Sequence, residues 1–233
     1  MQSPYQGIFF DLDGTLADTA PDLVAAANQL LIARKQAALP YELLRSRASA
    51  GTRGLIAGAF GITPEHPDFN HLRDEFFTNY ENALLVNSVL FDGIDELLNQ
   101  LDQAHIPWGI VTNKHERFTH PLTEQMGLRQ RAASTVSGDT TPHAKPHPAP
   151  ILHAAQLAKI DPTKGLYVGD DIRDVVAGKA AGMKTVAAAY GYCGCTEPPE
   201  TWGADYLVKT PHELFEIIFP ARSKGFSKSN ELF

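Results

Sequence analysis

The stretch Gly7-Ile8-Phe9-Phe10-Asp11-Leu12-Asp13-Gly14-Thr15 decides the reading of this chain. A short apolar run, the pattern of a strand buried on both faces, stops abruptly at two aspartates one residue apart. Comparable runs recur at residues 108–111, 165–168, 185–189 and 206–208. Most are separated by helical patterns. Ile94, Leu97, Leu98 and Leu101 repeat with the 3.6-residue period, as do Ile172, Val175, Val176 and Ala180, with Gly182 a natural stop. Strand and helix alternating in this way predict an α/β fold built on a doubly wound parallel sheet.

Residues 19–89 break the alternation, with helical patterns and no convincing strand. Thr19 and Asp22 read as a capping box opening a helix that carries Leu23, Leu30 and Leu31. Phe69, Leu72, Phe76, Phe77 and Tyr80 form a second stripe, expected to be packing residues. The chain therefore divides into an α/β core, residues 1–17 plus 90–220, and an inserted all-helical cap domain, residues 18–89. Residues 221–233, rich in Ser and Lys, are expected to be a flexible tail.

The 233 residues are 43% hydrophobic and 20% charged, enough to bury a good core. No apolar run approaches the ~18 residues of a membrane helix, and the first residues lack a signal-peptide pattern. A net charge of −7 without a basic block is wrong for nucleic acid. It also repels anions at long range, so an anion site here must carry its own cation. The two cysteines, Cys193 and Cys195, make neither a disulfide framework nor a zinc site. They read as reduced thiols in a cytoplasmic protein.

Polar groups gather where the apolar runs end. After the first run come Asp11, Asp13 and Thr15; after the second, Thr112, Asn113 and Lys114. Lys145 lies in a later loop, and Gly169-Asp170-Asp171 with Asp174 follows the run at 165–168. Ligands in open α/β sheets bind at the carboxyl ends of the strands, which puts these groups in one pocket. Two carboxylates ~4 Å apart repel by roughly 4 kcal/mol at an effective dielectric of 20. Several together call for a hard divalent cation, and magnesium accepts carboxylates, waters and a phosphate oxygen. The Asp-x-Asp spacing suggests two tasks, a nucleophilic carboxylate and a general acid/base. Thr15 can bond nearby groups through its hydroxyl, and Thr112 and Asn113 can donate to phosphate oxygens.

In this order, the four motifs resemble those of the haloacid dehalogenase (HAD) superfamily phosphatases, over residues 8–219. The resemblance implies a Rossmann-like core with a C1 helical cap. It makes Asp11 the nucleophile and Asp13 the acid/base, with Thr112 and Lys145 binding the phosphoryl group. Mg2+ would be held by the Asp11 carboxylate, the Asp13 main-chain carbonyl and Asp170, with Asp171 and Asp174 in support. Asp18-Thr19-Ala20-Pro21-Asp22, Ser49-Ala50-Gly51-Thr52-Arg53 and Trp202-Gly203-Ala204-Asp205 are similar to the phosphoglycolate phosphatase branch. They are also similar to bacterial N-acetylmuramic acid 6-phosphate phosphatases. His147 stands where that branch usually has aspartate.

The expected activity is Mg-dependent hydrolysis of a small phosphorylated metabolite of the 2-phosphoglycolate type through an aspartyl phosphate. The alternative substrate is N-acetylmuramic acid 6-phosphate. A sugar phosphomutase and a non-catalytic binding protein of the same fold are the competing functions. Asp13 argues against a dehalogenase. A phosphonatase would need a cap lysine, and Lys35 is the only lysine between Asp11 and Thr112. Gly51-Thr52-Arg53-Gly54 reads as a glycine-flanked loop before an apolar helix at Leu55 and Ile56, where Arg53 either clamps a substrate carboxylate or is a solvated arginine, with Gly51 beside it. Asp171 could instead be a helix cap, and Asp174 a surface residue of the first turn. Lys114 reads as an exposed lysine, and His143 and His147 as loop residues. Trp108 and Trp202 read as packing, with Trp202 also a candidate for the pocket border. Partners are restricted to the small phosphorylated metabolite, with neither nucleic acid nor membrane, and the assembly is a monomer or homodimer.

Overall fold

The computed structural model describes residues 3–194 and 197–220. Cys195 and the expected tail, residues 221–233, lie outside the described residues. Strands are β1 (Gly7–Phe10), β2 (Ala17–Asp18), β3 (Val89–Leu90), β4 (Trp108–Val111), β5 (Ser134–Val136), β6 (Gly165–Gly169), β7 (Lys184–Ala188) and β8 (Tyr206–Val208). Helices are α1 (Ala20–Ala33), α2 (Tyr41–Arg45), α3 (Gly51–Phe60), α4 (Phe69–Asn82), α5 (Ile94–Gln103), α6 (Glu116–Gln125), α7 (Ala149–Ala158), α8 (Ile172–Ala180) and α9 (Glu213–Ile218).

Six strands form one parallel sheet in the order β5-β4-β1-β6-β7-β8; five of them match the apolar runs of a doubly wound sheet, and the edge strand β5, Ser-Thr-Val, is not legible in the sequence. The first strand is central. Phe10 pairs with Ile110 of β4 on one side and Val168 of β6 on the other. That register brings Asp11, Thr112 and Asp170 to the same carboxyl edge. Ile8, Phe9 and Phe10 are fully buried, as continuous apolar strands in a sheet covered on both faces must be.

Helices α1 to α4 are inserted after β1 and return through a short antiparallel ribbon, β2 with β3, which the sequence did not reveal. Strands of two residues carry too little periodicity to be read. The inward faces of α1 and α4 pack together through Leu23, Leu30, Leu72 and Phe76. Gly182, with φ of +84°, does stop α8.

The capping box expected at Thr19 is not formed; Thr19 makes no side-chain bond to the turn it precedes. The buried Asp22 carboxylate instead accepts the backbone amides of Val86, Asn87 and Ser88 at 2.9–3.0 Å. It also accepts the Ser88 hydroxyl at 2.6 Å. Burial opposes the charge on Asp22, but these donors outweigh it and lower the carboxyl pKa from 3.8. Stability from this group is therefore present above the unfolded pKa and lost as pH falls through the folded one. Asp22→Ala should cost about 2–3 kcal/mol at pH 7. Its stability gap from wild type, read from urea midpoints, should narrow below pH ~4. A gap that widens on acidification would refute this account.

Candidate active site

Asp11 follows directly on β1, and its amide donates to the Val168 carbonyl at 2.9 Å, which ties the motif to β6. Gly14 takes a φ of +85°, and a Cβ there would lie 2.2 Å from Asp170 Oδ2. Gly191 is equally constrained, since its Cβ would meet Asp170 Cβ at 2.3 Å. Backbone thus closes round Asp170 from two sides, and only glycine permits the approach.

Lys145 is buried among acceptors. Its Nζ lies 2.8 Å from Asp11 Oδ1, 2.7 Å from Asp174 Oδ1, 2.8 Å from the Val111 carbonyl and 3.0 Å from the Tyr167 hydroxyl. Burial penalises the ammonium, but Asp11 and Asp174 outweigh it and raise its pKa well above 10.5. Carboxylates outnumber cations here. Burial first, then Asp11 and Asp174, drives the Asp170 carboxyl well above its ordinary range. Asp174 is pushed up to about 7 by burial and by Asp11, against the pull of Lys145.

Oxygens of Asp11, Asp170 and Asp174 lie within 4.8 Å of one another. Asp170 also accepts from the Thr15 hydroxyl at 3.2 Å and the Tyr192 amide at 2.8 Å. A crowded, buried oxygen set with a raised carboxyl pKa fits a hard divalent cation. The Asp13 carboxylate is not in this group. It accepts from Thr19 Oγ1 and from Lys114 Nζ at 3.0 and 3.2 Å.

The structure brings most of the sequence-selected residues together and moves several to other tasks. Thr112 is buried at the floor of the cleft, its Oγ1 accepting the Lys114 amide at 3.1 Å, which leaves the hydroxyl proton free to donate. Asn113 clamps the Lys145 backbone, donating to its carbonyl at 2.9 Å and accepting its amide at 2.9 Å. Its side chain therefore holds Lys145 in place, and it also lines the cleft. Thr15 supports Asp170 and does not line the cleft. Asp171 caps α8, forming with Asp174 the capping box that Thr19 does not. Asp171 also pairs with Arg173 and accepts the Ser49 hydroxyl. Against the cost of burial, Arg173 brings its pKa down to about 2. Asp174 is buried, not on the surface. The Lys114 side chain is buried as well, correcting the expectation of an exposed lysine; an apolar strand followed by Thr-Asn-Lys gives no hint that Tyr80 of α4 lies over it.

Gly51 and Arg53 border the cleft from the first turn of α3. Arg53 is exposed and has no ion-pair partner among the described residues. Phe76, Phe77, Phe118 and Tyr80 also face the cleft, which has a volume of about 870 Å3. Two residues went unselected from sequence. Tyr167 donates to the Val111 carbonyl at 2.8 Å beside Lys145, and the Tyr192 hydroxyl accepts the amides of Thr19 and Ala20 at 2.7 and 2.8 Å. Each reads in sequence as one more apolar strand or loop residue. Trp202 packs on Val175 and Ala187, away from the cleft. His143 and His147 are exposed loop residues. Burial pushes the Cys193 thiol up to about 11, which leaves it unreactive at neutral pH.

Comparison with known proteins gives consistent matches. The family model for haloacid dehalogenase-like hydrolases matches residues 8–188. An N-acetylmuramic acid 6-phosphate phosphatase of Pseudomonas putida is 40% identical over 91% of this chain and 96% of its own. A phosphoglycolate phosphatase of Xanthomonas campestris pv. campestris is 42% identical over 91% of this chain and 95% of its own. Among solved structures, one described as a predicted phosphoglycolate phosphatase from Haemophilus somnus 129pt superposes with a TM-score of 0.81. It shares 24% identity over 93% of this chain and 99% of that one, a likeness of fold.

Proposed function

The chain belongs to the haloacid dehalogenase-like hydrolase family, and on that premise we propose that it is a phosphoric monoester hydrolase working through an aspartyl phosphate on Asp11. The observation that carries this reading is the Asp11 carboxylate at the carboxyl end of the central strand. It lies 2.8 Å from Lys145 Nζ, beside Asp170 and Asp174, on the floor of the cleft.

Asp11 forms a bond to phosphorus as the bond to the substrate alcohol breaks. Asp13 protonates the departing oxygen, then takes a proton from the water that cleaves the acyl phosphate. Lys145 and the Thr112 hydroxyl hold phosphoryl oxygens as charge shifts onto them. Asp11, Asp170 and the Asp13 main-chain carbonyl would hold Mg2+, with Asp174 in support. When bound, that ion would neutralise the phosphate and the carboxylates together. Asp171 acts indirectly, fixing the start of α8 and so Asp174. The helical insert is the cap, excluding bulk water when closed.

The substrate reading is a phosphate monoester that also bears a carboxylate, matched by the free Arg53 guanidinium at the rim. Both 2-phosphoglycolate and N-acetylmuramic acid 6-phosphate meet that description. A cleft of about 870 Å3 is nearer the size that encloses a drug-sized ligand than a two-carbon acid. Volume and the aromatic lining therefore favour the sugar phosphate. No helix among the described residues is long and apolar enough to cross a membrane. A cytoplasmic monomer or homodimer is the matching setting.

Phosphate release from both compounds, with Mg2+ and with EDTA, tests the reading. Release from at least one should require Mg2+ and fall at least about a hundredfold in EDTA. Release of the isomerised ester instead of phosphate would indicate a mutase. No turnover by folded, Mg2+-loaded protein would favour a binding protein.

A further inference from the structure

Lys114 plays no part in the chemistry above, yet it is held more tightly than most lysines. Its backbone is fixed from two sides, the amide donating to Thr112 Oγ1 at 3.1 Å and the carbonyl accepting the Gly138 amide at 2.8 Å. Its Nζ meets both oxygens of Asp13, at 3.0 and 3.2 Å. On its other side lies the ring of Tyr80, 4.6 Å from Nζ to the centroid. Tyr80 belongs to α4 of the helical insert, where it stacks on Phe76 and leans on Phe118 of the core helix α6. The lysine side chain is 6% exposed and Asp13 18% exposed, so the pair is shielded from water in a way that surface pairs are not.

A lone aspartate turns freely about two torsions. With Lys114 touching both oxygens and Thr19 a third contact, Asp13 has one orientation. Proton transfer depends on that orientation, because a general acid acts only within hydrogen-bond reach of the oxygen it protonates. The ammonium keeps its cation–π partner only while α4 lies across the end of β4.

We propose that Lys114 is a positioning residue for the Asp13 carboxylate, and that Tyr80 of the insert completes the clamp. The orientation of the acid/base is thereby tied to the position of the cap over the core. This rests on the phosphatase reading and adds to it a residue whose ammonium meets the Asp13 carboxylate, not phosphorus and not the Asp13 main-chain carbonyl that would hold the metal.

The test compares kcat/KM for phenyl phosphate and p-nitrophenyl phosphate. The two esters are similar in shape, but phenolate leaves poorly without a proton and p-nitrophenolate leaves well. Their ratio cancels the amount of active enzyme, so a partly folded variant remains informative. Lys114→Met should raise the preference for p-nitrophenyl phosphate at least about fivefold, a fraction of what general acid catalysis supplies. Tyr80→Leu should shift it in the same direction, Tyr80→Phe should not, and Lys114→Arg should return it towards wild type. Equal losses on both esters, or an unchanged ratio in Lys114→Met, would overturn the assignment while leaving the phosphatase reading standing. Wild-type protein that releases phosphate from neither of these esters nor from the metabolites would overturn both.

Discussion

Asp11→Asn is expected to lower phosphate release below about 1% of wild type while the protein stays folded. The amide is close in shape to the carboxylate but is a poor nucleophile, so the bond to phosphorus has nothing to form from. Its effect on stability should be small or favourable. Asp11 is one of three carboxylates within 4.8 Å, and its charge helps raise the carboxyl pKa of both Asp170 and Asp174. Removing that charge relieves repulsion, against which stands the lost contact with Lys145 at 2.8 Å. Thermal melting in EDTA should therefore show a midpoint at or above that of wild type, alongside a dead enzyme. A variant that keeps more than about 1% of the rate, measured as phosphate released per enzyme, would remove Asp11 from the role of nucleophile. One that is inactive because it has unfolded would show it in the melting curve.

What the sequence disclosed, and what it hid, follows from range. Strands β1, β4 and β8 are legible to the residue because each is a continuous apolar run ended by polar groups. Their neighbours in the sheet end alike, so Asp11, Thr112 and Asp170 follow from local pattern alone. Long-range pairings are not legible. Nothing near Asp22 announces that residues 86–88 will fold back onto it from 64 to 66 positions away. Nothing near Lys114 announces Asp13, 101 positions earlier. Asn113, beside Thr112, reads as available to phosphate, yet Lys145, 32 positions on, occupies both ends of its amide. The Asp-x-x-Asp pattern is ambiguous in the same way. Asp171 and Asp174 form a capping box, yet Asp174 also faces Lys145 and the acidic group. A first-turn acidic residue caps, binds or does both according to what the rest of the chain brings beside it.

Lys145→Ala is the second large effect, and here activity and stability should fall together. The side chain is 2% exposed and contacts Asp11 and Asp174 at 2.8 and 2.7 Å. Deleting it leaves three buried or half-buried carboxylates with no lysine among them, and breaking a buried ion pair by removing one partner costs about 3–5 kcal/mol. The Val111 carbonyl keeps the Tyr167 hydroxyl as a donor, so the sheet edge itself should survive. On the proposed mechanism phosphate affinity and rate should both drop, because the ammonium that compensates Asp11 also holds the phosphoryl group. The loss of stability has a particular signature. A divalent cation can replace part of the missing charge, so Mg2+ should raise the melting temperature of Lys145→Ala more than that of wild type. It should not restore turnover, since the ion cannot occupy the lysine's place beside Asp11 and its own at once. Equal Mg2+ shifts in the two proteins would mean that the carboxylates had simply taken up protons. Wild-type rate and affinity in the variant would show that the phosphoryl group is held by something other than Lys145.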